Sequence, residues 1–154
     1  MGGPAAVNEY LKSIGTSGIN VQDSEKTLGI DARTQYRNYA DPRALVSLLR
    51  LIADHSPLSP EHTQLLLGWM TNASTSNNRI KGLLPVGTVV AHKTGTSRAV
   101  TNDVGLITLP DGQRLAIAIL VTDSPESVEV RESVIARITE AVWSEATHPP
   151  RVNP

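Results

Sequence analysis

The chain has 154 residues, 16.5 kDa, the usual size of one folded domain. Its 14 Lys+Arg against 15 Asp+Glu leave a net charge of −1, with no broad basic field for a nucleic-acid backbone or an anionic membrane. There is no Cys, which excludes disulfides, thiolate nucleophiles and Cys-ligated metal centres, and no Phe, so any core is aliphatic.

The only aromatic residues are Trp69, Trp143, Tyr10, Tyr36 and Tyr39, too few to build a base-stacking platform. The first four residues show neither a basic stretch nor an apolar one of the kind that opens a secretory leader. No run of about 18 apolar residues is present to span a membrane.

Taken in chain order, Pro4 to Ile14 reads as a helix. Proline suits its first turn, Val7, Leu11 and Ile14 form one apolar stripe, and Gly15 supplies a left-handed end. Gly15 to Asp41 has scattered polar residues and little periodicity. A stretch of that length inside a compact domain is a functional Ω-type loop or disorder, and the pieces Leu28 to Ile30 and Tyr36 to Tyr39 favour an ordered loop. Asp41-Pro42 opens a second helix through Ala53, with Leu45, Leu48, Leu49 and Ile52 on its apolar face. Ser59-Pro60-Glu61 opens a third to Met70, in which the spacing of Leu65, Leu66 and Trp69 places the tryptophan in the core.

Beyond a polar loop and a short turn from Arg79 to Pro85, the pattern changes to strands. Thr88 to Ala91 and Asp103 to Leu109 are β-branched and apolar, Pro110-Asp111-Gly112 marks a hairpin, and Arg114 to Val121 is nearly continuous apolar. Ser124-Pro125-Glu126 predicts the start of a last helix to about Trp143, with Val130, Val134, Ile138 and Val142 at helical spacing. The expected architecture is α+β: helices, a long loop, a three-stranded antiparallel meander and a closing helix.

The sharpest chemical signal is Ala91 to Ser97, a lysine, three hydroxyl residues and a glycine in one run. Along a strand Lys93 and Gly95 share one face and Thr94 and Thr96 the other. Gly95 lets a ligand approach the backbone, and the Thr96 N–H could meet a developing oxyanion. The bland alternative is a polar edge strand. Glu25 in the long loop is a candidate general base if it lies partly buried beside a cation, although most loop glutamates are solvated. Arg79 could support the lysine electrostatically, but arginines are mostly exposed and the surface reading is favoured. His55, His62, His92 and His148 show no metal-ligand spacing, and His92 would face away from Lys93. No glycine-rich phosphate loop occurs, and no cofactor is expected.

In combination these pieces resemble a family. Arg79 to Ser97 resembles the segment leading into the Lys-Thr-Gly strand of class A serine β-lactamases, and Glu25 to Leu28 the Glu-x-x-Leu of their Ω-loop. Gly2 to Pro4 with its helix is similar to the helix after the family's Ser-Asp-Asn loop, and Thr101 to Gly112 and the last helix continue the match. Tyr36 to Tyr39 is most similar to the PER/VEB-like extended-spectrum branch. The resemblance implies that Glu25 activates the deacylating water. It implies that Lys93 and Thr94 hold the β-lactam carboxylate and that Lys93 tunes proton transfer. Gly95 and Thr96 would complete the binding strand, Thr96 with its N–H in the oxyanion hole. Two positions depart from the family pattern: Gly29 stands where many members have a water-holding asparagine, and His92 where an aspartate is common.

No serine is followed by lysine three residues later, and Ser-Asp-Asn is absent. The resemblance therefore implies the C-terminal portion of such an enzyme, inactive alone, whose partners are a β-lactam and the missing N-terminal part, with no nucleic acid or membrane. The full-length family is periplasmic or secreted. The expected division is a helical part over residues 1–84 with the Ω-loop at about 16–40, a sheet with closing helix over 85–146, and a flexible tail over 147–154. The strand Arg114 to Val121 is expected to carry an open apolar edge, and the helices over 44–70 an unfilled side. Two alternatives are a non-catalytic carboxylate- or β-lactam-binding module and a penicillin-binding peptidase fragment, against which the Glu25 context speaks.

Overall fold

The computed structural model describes residues 2–28, 34–54, 57–75 and 77–148. Helix α1 spans Gly3–Ser13 and ends where Gly15 takes φ +74°, a left-handed value open to glycine. Helix α2, Pro42–Ala53, starts on Asp41, whose carboxylate accepts from the Arg43 N–H, and α3, Pro60–Thr71, starts on Ser59, whose hydroxyl accepts from the His62 N–H. Proline at the first position of both replaces an amide that a helix leaves unpaired.

Between α1 and α2 the chain forms a closed loop. Strands β1, Ile19–Asn20, and β2, Tyr39–Ala40, pair antiparallel and bring its ends together, and a 3₁₀ turn at Thr34–Tyr36 precedes β2. Side chains supply the bonds that secondary structure does not. The Asn38 amide accepts from the N–H groups of Gln22 and Asp23 and donates to the Asp23 carbonyl, at 2.7, 2.8 and 2.9 Å. Asn8 of α1 makes the same kind of double contact with the Val21 backbone. The described parts of the loop are held by polar side chains rather than by apolar burial, and Gly29 and Ile30 of the expected anchor lie outside the described residues.

Strands β3, Val90–Ser97, β4, Val100–Thr108, and β5, Arg114–Val121, form an antiparallel sheet in that order. β3 runs on through the Lys-Thr-Gly run, further than the expected Thr88 to Ala91. The β4–β5 turn closes with Gly112 at φ +84° and the Asp111 carboxylate accepting from the Gln113 N–H. One face of the sheet carries Val90, Ile107, Ile117 and Ile119, which pack with Ile80 and with Ile135 of α4, Val128–Thr147. The other face meets α2. At roughly 25 cal/mol per Å² of apolar surface removed from water, this aliphatic cluster is the main cohesive element.

Two expectations are corrected, the α4 cap and the place of Trp69, and the α4 stripe finds its side. Helix α4 is capped by Ser127, whose hydroxyl accepts from the Val130 N–H, not by Ser124. Val130, Val134, Ile138 and Val142 are exposed, because α4 turns Ile135, Ala136 and Thr139 to the core instead. Glu132 and Ala136 meet the turn at 78–82, and the valine stripe occupies the opposite flank. Trp69 is 66% exposed rather than core: helical spacing defines a stripe but not what covers it.

Candidate active site

The register of the β3–β4 ladder decides which way the Lys-Thr-Gly backbone points. The Thr108 N–H donates to the Val89 carbonyl, and the pairing holds without a bulge from Val90↔Ile107 to Ser97↔Val100. Bonded and unbonded residues alternate in an antiparallel pair. Lys93 and Gly95 therefore turn their backbone groups toward β4, and Thr94 and Thr96 turn theirs to the free edge of the sheet. The Lys93 and Gly95 side positions look onto the α2 face, as strand alternation predicts.

There they line a cavity of about 500 Å³ together with Thr94, Asn102, Leu120 and Tyr39. Its far wall is the closed loop, and its lining is largely apolar around the single lysine. The Lys93 ammonium donates to the Thr94 carbonyl at 2.5 Å, and the Thr94 hydroxyl donates to that of Thr75 at 3.2 Å. The Tyr36 hydroxyl donates to Asp123 at 2.5 Å, tying the loop to the residues after β5.

Arg79 overturns the surface reading. It is 3% exposed, and its guanidinium donates to Glu132 at 3.0 Å, the Gly95 carbonyl at 3.1 Å, the Asn102 carbonyl at 2.8 Å and the Thr96 hydroxyl at 2.5 Å. A planar fork with fixed donors suits four acceptors on three separate elements. Its charge is balanced by Glu132 of α4, more than fifty positions along the chain. The sequence held one hint, an arginine entering an apolar turn, but its partners are all distant.

Glu25 is exposed and lines a different cavity, about 820 Å³, between α1 and the closed loop, with Leu28, Val7 and Tyr10 among its walls. Val21 and Asn38 belong to the walls of both cavities and form the ledge between them. The structure thus brings Lys93, Thr94 and Gly95 together in one cavity. Thr96 stands beside them on the same strand, held by Arg79, and Glu25 faces the neighbouring hollow. Gly29 lies outside the described residues, as do the last six of the chain. His92 faces away from Lys93, as expected, and is buried against Asp103. Among the described residues no cluster of three or more His, Asp or Glu could hold a metal ion, and no helix is long and apolar enough to cross a membrane.

A family model described as the beta-lactamase enzyme family matches residues 1–146. The chain is 40% identical over 149 residues to the extended-spectrum beta-lactamase PER-1 of Pseudomonas aeruginosa, across 93% of this chain and 48% of that protein. It is 37% identical over 152 residues to beta-lactamase VEB-1 of Pseudomonas aeruginosa, across 94% and 51%. Among solved structures, the TLA-1 extended-spectrum beta-lactamase is similar with a TM-score of 0.93 at 39% identity, covering 95% of this chain and 55% of that one. A beta-lactamase from Chitinophaga pinensis gives 0.92 at 38%, covering 94% and 56%. The chain spans about half the length of the curated relatives it matches.

Proposed function

The chain belongs to the beta-lactamase enzyme family, class A, and we propose that it supplies the carboxylate-binding strand and the deacylation base of an enzyme that opens the β-lactam ring of penicillins and cephalosporins. Lys93 and Thr94 hold the substrate carboxylate through charge-assisted bonds, and Gly95 leaves room for the substrate against the strand. Thr96 gives its edge-facing N–H to the oxyanion and its hydroxyl to the carboxylate. A serine Oγ adds to the lactam carbonyl, the C–N bond breaks, and the ring nitrogen takes the proton, leaving an acyl ester. Glu25 then takes a proton from water as the water oxygen adds to the ester, and the opened acid leaves as the proton returns to the serine oxygen.

No Ser-x-x-Lys occurs in the 154 residues, and this reading assigns the serine to polypeptide outside them. The observation that carries it is the edge-facing backbone of Thr94 and Thr96 beside Lys93, clamped by Arg79 in a chain of this family. The test is hydrolysis of a chromogenic cephalosporin. The purified chain alone is expected to show no turnover. Co-expression with an N-terminal part of a family member bearing Ser-x-x-Lys and Ser-Asp-Asn is expected to restore it, and Lys93→Ala or Glu25→Gln to abolish it again. Turnover by the chain alone would falsify the assignment of the serine, and no recovery in any complemented pair would remove the reading.

A second reading, a binding module without catalysis, is favoured by the separation of Glu25 from the cavity of Lys93. It predicts that benzylpenicillin binds the chain alone, measured by calorimetry, with no covalent adduct and no turnover on complementation.

A further inference from the structure

Behind the Lys-Thr-Gly strand, on the face away from the cavity, lies a buried polar group that the reading above does not use. Gly105 of β4 stands opposite His92. A Cβ there would fall 2.6 Å from the Ala91 carbonyl oxygen and 2.8 Å from the His92 Cβ, so the missing side chain gives the His92 residue its room. The His92 Nδ1 lies 3.0 and 2.9 Å from the two carboxylate oxygens of Asp103, and both side chains are fully buried.

The same carboxylate accepts a third contact. Asp103 Oδ2 receives the backbone N–H of Ile80 at 3.2 Å. With the carboxylate as acceptor, His92 donates through Nδ1–H, and its buried Nε2, which has no partner in the structure, carries the lone pair. That arrangement leaves an acceptor unmatched rather than a donor, the milder of the two. Ile80 follows Arg79 directly, and Asp103 follows Asn102, whose carbonyl receives the Arg79 guanidinium. Two neighbouring residues of the turn are therefore tied to two neighbouring residues of β4, one through backbone and one through side chain.

We propose that His92 and Asp103 are positioning residues of the carboxylate-binding strand: their buried pair fixes the Ile80 amide and thereby delivers the Arg79 guanidinium to Thr96 and to the backbone of Gly95. The turn is also held by the Ile80 side chain in the apolar cluster, by Asn78 on Glu132 and by Lys81 on the Thr71 carbonyl, but the Asp103 contact is the one that fixes the backbone amide next to Arg79, the origin of its flexible side chain. The contribution to ligand binding rests on the proposed function, while the geometric claim does not.

The test uses the full chain, ¹⁵N-labelled, with Asp103→Leu, which keeps volume and removes the acceptor. In the native chain His92 is expected as the Nδ1–H tautomer, with a protected Arg79 Nε–H. In Asp103→Leu, exchange of the Arg79 Nε–H is expected to rise about tenfold in the folded state, and benzylpenicillin affinity to fall by a similar factor. A purely structural role would lower the unfolding midpoint and leave both unchanged in the folded protein; that result overturns the proposal. If the leucine variant does not fold, Asp103→Asn decides. It keeps the volume but leaves one oxygen where the carboxylate has two, so the His92 Nδ1–H and the Ile80 N–H compete for a single acceptor, and it is expected to speed Arg79 exchange several-fold. An unmoved Arg79 signal in that variant also overturns the proposal. If the native chain binds no benzylpenicillin, the second reading of its function fails, and the Arg79 exchange comparison still decides the positioning.

Discussion

The Arg79 guanidinium and the Thr96 hydroxyl meet at 2.5 Å across seventeen positions of chain, and the same guanidinium is held by Glu132 from the other side. β3 is an edge strand, with a partner on one side only among the described residues. Edge strands lack half their ladder and fray or recruit other chains. Arg79 does not fill that free side; it binds the Gly95 and Asn102 carbonyls on the β4 side and so ties the two strands together near the end of their ladder.

Replacing Arg79 by alanine leaves Glu132 without its cation in a nearly closed site. The expected loss is about 3–5 kcal/mol, the usual effect of breaking one partner of a buried pair. Urea unfolding at neutral pH measures it. Arg79→Lys is expected to recover only part, because an ammonium cannot reach four acceptors in one plane.

Asn38→Ala removes three bonds that close the loop. The loss is local, because the apolar cluster under the sheet does not include it. Amide exchange of residues 21–24 is expected to accelerate by more than tenfold, corresponding to about 1–3 kcal/mol, with little change in strands β4 and β5. Acceleration spread evenly over the sheet would show that the loop and core open together.

Gly105→Ala puts a methyl group within 2.6 Å of the Ala91 carbonyl. Neither strand can retreat without breaking the ladder, so about 1–3 kcal/mol is expected to be lost, read as a fall in thermal midpoint. Gly87→Ala has no atom within 4 Å of the new Cβ but holds φ +89°, so its smaller loss arises from backbone strain alone.

Glu129, in the first turn of α4, has its carboxyl held below the usual carboxylate range by its own backbone N–H and by the Ser127 hydroxyl. A lowered folded-state value means the ionised form is favoured by folding. Its contribution is present above the unfolded value and disappears as pH falls through the folded one. Glu129→Gln is therefore expected to be less stable than the native chain at pH 7, with the gap closing below about pH 4. Equal midpoints for the two proteins at both pH values would show that the fully solvated carboxylate contributes nothing to α4.

Much of the local structure was legible. Asp41 and Ser59 each precede a proline and an apolar stripe, and both cap the helices they announce. The span of β5 follows from an uninterrupted apolar run between a Pro-Asp-Gly turn and a polar stretch. The fold class expected from the class A resemblance is the one observed, at a TM-score of 0.93 to a solved relative. The misread elements share one cause. Trp69 and Arg79 were each assigned a burial from spacing or residue type, and burial depends on what another segment places there.

By itself the sequence determined where helices begin, where the hairpin turns, and which tripeptide lies on a strand, because caps, turn residues and alternation act over four or five positions of one chain. Its motifs in order also determined the family. Only the tertiary structure decided that Arg79 is buried on Thr96, that His92 is paired with Asp103 behind the strand, and that Glu25 and Lys93 look into separate hollows. Those outcomes depend on contacts between residues eleven to more than fifty positions apart. Such contacts form when elements pack, and no local pattern along the chain encodes which side chains will then be within hydrogen-bonding reach.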